Sequence, residues 1–95
     1  MATGPHLILF YDYVLDIVER RAPHREAHLA RIGEEVDAGR IVMAGALGDP
    51  PTGAAIVFAG VGPDDVEAFA DADPYVLNGL VTGRRVVPWN VVASA

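Results

Sequence analysis

The sequence has no cysteine and no lysine, and apart from three tyrosines it offers only four hydroxyl side chains, Thr3, Thr52, Thr82 and Ser94. Each shortage removes a class of chemistry. Without thiols there is no disulfide framework, thiolate metal site or cysteine nucleophile, and the redox compartment stays open. None of the four hydroxyls falls in a strand-to-helix elbow, so a serine-type triad is unsupported. Basic residues are scarce as well: seven arginines face thirteen acidic residues, a formal charge of −6, whereas a nucleic-acid partner needs a basic stripe. The longest apolar stretch, Leu7 to Tyr11, is far too short to span a bilayer, and the run Met-Ala-Thr-Gly-Pro-His carries no basic region leading into an apolar one. A soluble, cytoplasmic protein with no membrane and no nucleic-acid partner is expected.

What is present is 52% hydrophobic residues in a chain of 95. That fits one compact domain over residues 1–95, close to the size at which a lone chain struggles to bury enough apolar surface. No repeat, low-complexity tract or linker divides it. His6 to Tyr11 is an almost wholly apolar run between Gly4-Pro5 and Asp12, which suits a central strand buried on both faces. Residues 14–21 allow a short helical turn. Pro23 fits the first turn of a helix that runs to about Ala38, with Gly39 just past its end. Ile41 to Ala44 and Ala54 to Ala59 read as an antiparallel hairpin around the glycine- and proline-rich segment 45–53. Gly62-Pro63-Asp64-Asp65 opens a second helix whose inward face is Val66, Phe69 and Ala70, and Pro74 ends it. Val81 to about Val92 is the last strand, and Pro88 marks it as an edge or a bulge. Trp89 and Phe69 are expected in the core.

This order, β-α-β-β-α-β, is the split βαβ pattern of the ferredoxin-like α+β class: a four-stranded antiparallel sheet with two helices on one face. Alternating directions gather at one end of the sheet Asp12, the first turns of helix one with Arg25 and His28, the hairpin loop, and Asp73 at the end of helix two. On helix one, Leu29, Ile32 and Val36 form the stripe that should face the sheet, with Arg25 on it, His28 on its flank and His24 farther toward solvent. Asp73 would face the negative end of its helix dipole on a buried face, so a cation is expected beside it, His28 or Arg25. Strands one and three are apolar on both faces while two helices cover one. A homodimer packed sheet to sheet resolves this.

The segments Arg25-Glu-Ala-His28-Leu-Ala-Arg-Ile32, Gly39-Arg-Ile-Val-Met-Ala-Gly45, Asp73-Pro-Tyr75-Val and the closing Val87-Pro-Trp89 resemble the YciI-like (YCII-related) family in order and spacing. The resemblance implies a dimeric α+β barrel of ferredoxin-like subunits with an active site around a His–Asp pair, His28 and Asp73 here. The short loop at 47–53 departs from the long-loop members, so no substrate contact is carried over from it. The wider superfamily implies isomerase, eliminating or oxygenase chemistry on small cyclic or aromatic compounds, by analogy alone.

A metal is a weaker reading of the same helix. His24 and His28 stand at i, i+4, but Arg25 occupies the place of the zinc-protease glutamate and spacing offers no third ligand. No glycine-rich phosphate loop leads from a strand into a helix either. The expectation is therefore proton transfer without a cofactor or metal, as an isomerase or lyase. His28 is the general base, Asp73 orients it, and Arg25 and Asp12 contact the small-molecule substrate. A non-catalytic dimeric binding module is the alternative.

Overall fold

The computed structural model describes residues 3–95; Met1 and Ala2, the start of the amino-terminal run discussed above, lie outside them. Strand β1 (Gly4–Tyr13) is followed by a single turn α1 (Ile17–Arg20), helix α2 (Arg25–Asp37), the hairpin β2 (Ile41–Leu47) and β3 (Gly53–Phe58), helix α3 (Pro63–Asp71), a short α4 (Pro74–Leu77) and β4 (Val81–Val91). The four strands form one antiparallel sheet in the order β2-β3-β1-β4, which is the ferredoxin-like α+β arrangement. The central place of β1 follows from its apolar run, and the edge place of β4 agrees with Pro88, which has no N–H for a second partner.

Alternation along β1 divides the sheet. Leu9 and Tyr11 join Ile56 and Phe58 of β3 in a core closed by Val66, Phe69 and Ala70 of α3 and flanked by Ile32 of α2, so both long helices cover one face. Ile8, Phe10 and Asp12 point the other way, opposite Val87, Arg85 and Gly83 of β4. A second cluster, Ile17, Tyr75 and Leu80, packs under the two short helices and anchors the end of the sheet where the predicted site residues gather.

Several expectations are corrected. Strand β2 continues through Gly45, Ala46 and Leu47, so the hairpin loop is only residues 48–52. Trp89 is 43% exposed, because its pairing with His6 puts it on the helix-free face of an edge strand. Helix α2 begins at Arg25, with Pro23 in the preceding turn, and ends at Ala38 and Gly39 as expected, the glycine taking φ 77°. Its buried stripe differs from the aliphatic one. Leu29 and Val36 are about half exposed, at 48% and 45%, and His28 is the buried residue. The turn toward His28 has a physical cause: Arg31 lies over the Phe69 ring and donates to the Phe69 carbonyl, while His28 finds its own partners across the helix pair.

Candidate functional site

Asp73 does not end helix α3. It is an extended residue (φ −68°, ψ 127°) that caps the following helix α4, and its Oδ1 accepts the Tyr75 backbone N–H at 3.0 Å. Asp-Pro-Tyr is thus an N-cap followed by proline at the first helical position, a favourable place for a carboxylate rather than an unfavourable one. The same Oδ1 lies 2.8 Å from His28 Nδ1, and Oδ2 accepts the Tyr11 hydroxyl at 2.8 Å. Burial raises the Asp73 pKa, but the His28 and Tyr75 hydrogen bonds, the His28 interaction and the Tyr11 hydroxyl more than offset it, and the carboxyl lies below its ordinary value. Asp73 is therefore a fully buried, ionised acceptor.

An ionised carboxylate accepts only, so His28 Nδ1 carries the proton it shares with Asp73. In neutral imidazole the lone pair then belongs to Nε2. Among the described residues that nitrogen has no hydrogen-bond partner and no buried side-chain polar atom is left unpaired, so Nε2 reaches open space. The space it meets is a cavity of about 270 Å³ between α2 and the sheet, lined by His28, Tyr13, Tyr75, Arg21 and Arg25, with Leu29, Ile32 and Ile56 as apolar walls and the small residues 44–46 and Ala54 beneath. The Tyr75 ring stacks on the His28 imidazole, 3.7 Å between centroids and 7° from parallel, and Tyr13 meets Tyr75 edge-on at 5.9 Å. The imidazole is thereby fixed in orientation as well as in tautomer. Burial raises the pKa of Tyr11, Tyr13 and Tyr75, so these phenols stay neutral donors.

The predicted residues divide. His28 and Asp73 come together; Arg25 lines the cavity, and among the described residues it makes no ion pair with Asp73. Asp12 is an exposed residue on the opposite face of the sheet, beside Gly83, and does not line the cavity, because its neighbours Tyr11 and Tyr13 take the inward positions of the strand. His24 stands at the N-cap position of α2 without a side-chain capping hydrogen bond, and among the described residues no three His, Asp or Glu side chains gather as metal ligands. Sequence reasoning missed Tyr11, Tyr13, Tyr75 and Arg21. A signal existed for the first two, since Tyr11 and Tyr13 share the parity of Leu9 in the strand, and for Tyr75, which follows an N-cap and a proline.

Residues 5–90 match the YCII-related domain. Protein YciI of Escherichia coli O6:H1 and of Shigella flexneri are each 35% identical to the chain over 94 residues, covering 90% of it and 96% of the relative. Among solved structures, the 5-chloro-2-hydroxyhydroquinone dehydrochlorinase of Burkholderia phenoliruptrix AC1100, in complex with 2,5-dihydroxybenzoquinone, shares the fold with a TM-score of 0.75 and 20% identity, covering 90% of this chain and 93% of that one. Motif spacing, sheet order and overall similarity agree, and the chain belongs to the YCII-related family.

Proposed function

We propose that the chain is a cofactor-independent enzyme that moves a proton on a small, oxidised ring compound, as an isomerase or an eliminating lyase. One observation carries this reading: His28 gives Nδ1–H to an ionised, buried Asp73 and keeps Nε2 for the cavity. Nε2 takes a proton from a ring carbon, and the electron pair of that C–H bond moves onto the neighbouring carbonyl as an oxyanion. Arg25 faces the oxyanion, and Asp73 stabilises the imidazolium. The proton then returns to a different carbon, which is isomerisation. Alternatively the oxyanion collapses and expels a group from the adjacent carbon while Nε2 releases its proton to solvent, which is elimination. Neither route changes the electron count of substrate plus leaving group, so no oxidant or reductant is required.

The ring class is supported by cavity size and by the dihydroxybenzoquinone bound in the dehydrochlorinase of the same fold. We further propose a homodimer through the helix-free sheet face, where Phe10, Met43, Leu47, Val87 and Trp89 are at least partly exposed. A panel of halogenated hydroquinols, hydroxyquinones and lactones, assayed with wild type and His28→Ala, tests the activity. Turnover of at least one compound that is lost in His28→Ala is expected. Turnover indifferent to the substitution contradicts the role of His28, and binding across the panel without turnover replaces the enzyme with a sensing module.

A further inference from the structure

Resting on that reading of the cavity, we infer that it selects rings bearing a negative charge, and that Arg21, with Arg25, determines this specificity. The chain carries thirteen acidic residues and seven arginines, yet among the described residues no acidic side chain lines the cavity and two arginines do. The other five arginines are engaged: Arg20, Arg40 and Arg84 in ion pairs, Arg31 on the Phe69 carbonyl and ring, Arg85 over the Phe10 ring. Among the described residues, Arg21 and Arg25 are the arginines whose guanidinium groups have no such partner. Two guanidinium groups at one cavity repel each other, and an anion between them removes the repulsion. Both also face the same rings. Burial raises the pKa of Tyr13 and Tyr75, and both Arg21 and Arg25 oppose that rise, which puts the two cations beside the two phenols.

Size and shape narrow the ligand. The cavity, about 270 Å³, is just below the usual range for ligand sites, which starts at about 300 Å³, and leaves room for one ring with a few substituents. Guanidinium forks match coplanar oxygens that share a charge, as in a ring carboxylate or an ionised hydroxyquinone. Arg21 is thus a binding residue for the charged edge of the substrate, while His28 meets the reacting carbon.

Calorimetric titration of the full chain with two shape-matched pairs decides this: benzoate against benzamide, and 2,5-dihydroxybenzoquinone against its neutral dimethyl ether. At least one anion should bind about tenfold or more tightly than its neutral mate, and the pair that shows the difference identifies the source of the charge. Arg21→Gln, at an unchanged melting temperature, should reduce that ratio to about threefold or less while leaving the neutral compound within about twofold. His28→Ala should keep the ratio. Equal binding of anion and neutral mate, a ratio unmoved by Arg21→Gln, or no binding of either anion at millimolar concentration overturns the inference. The ratio is read from binding, so failure of the proposed reaction would leave the charge inference standing and be visible separately in the turnover assay.

Discussion

At Asp73, burial pushes the carboxyl pKa up, and hydrogen bonds from His28, the Tyr75 backbone and Tyr11 pull it down further, to a net position below the ordinary 3.8. A folded-state pKa below the unfolded one contributes stability that is present above the unfolded value and lost as pH falls through the folded one. The melting temperature should therefore drop on acidification below about pH 4, and Asp73→Asn should lack that part of the drop. Tyr11 shows the opposite sign. Burial first, then the charge and hydrogen bond of Asp73, raise its pKa above 10.0, so its contribution holds below pH 10 and fades above it. Tyr11→Phe should flatten the alkaline limb of the same melting series, at a cost of about 1–3 kcal/mol near neutrality because Oδ2 loses its donor. Tyr13 and Tyr75, also raised by burial, leave part of the alkaline loss in place, so a loss as steep in Tyr11→Phe as in the wild type would contradict this assignment. Of these groups, chain direction brings His28 and Asp73 to one end of the sheet together with Arg25 and Asp12, and the family resemblance is what singles out the pair. The Tyr11 hydroxyl was not legible in the sequence, since strand parity gives its face and no hydroxyl-to-carboxylate distance.

The elements show where pattern and packing diverge. Aliphatic spacing on α2 pointed to Leu29, Ile32 and Val36, yet the less exposed stripe is His24, His28, Arg31, Ile32 and Glu35, turned toward His28. Hydropathy favours burying leucine over histidine, and it carries no information about a stacked tyrosine and a carboxylate waiting on the other side. The half-exposed Leu29 instead forms a wall of the cavity, a use that a core-directed stripe does not anticipate. Helix α4 was unread for a related reason: proline after a helix signals its end, and the same proline begins a new turn when an aspartate precedes it. The β1–β3 pairing is more restrictive than the sequence suggests. A Cβ at Gly53 would stand 2.2 Å from the Tyr11 carbonyl oxygen, a backbone atom that cannot move without dragging Tyr11 off Asp73. Gly53→Ala should destabilise by about 3 kcal/mol, lowering the melting temperature by roughly 10–20 °C, and should impair the site as well. A variant with wild-type melting and activity would show that the strands can separate there at little cost.

For the whole molecule, the sheet order and the two-helix cover were readable because apolar runs, glycine-proline reversals and helix caps all pointed to one topology. The same signals reserve the helix-free face for a second copy, and there Met43, Leu47 and Trp89 are 46%, 42% and 43% exposed. Apolar surface of this kind on so small a chain is suited to a second copy. Sedimentation at micromolar concentration should give a dimer, and Val87→Glu in the middle of that face should shift it toward monomer. A wild-type monomer would contradict the assembly. The His28–Asp73 pair and the cavity beside it lie in the same chain, and the central claim about them can be put to a test of its own: that His28 Nε2, held by Asp73, removes a proton from carbon. The direct measurement is deuterium incorporation into the carbon-bound positions of a bound hydroxyquinone or lactone in D₂O, followed by proton NMR for wild type and His28→Ala. The account predicts exchange by the wild type and a loss of about a hundredfold or more in His28→Ala with ligand still bound. Exchange by His28→Ala at the wild-type rate would contradict it.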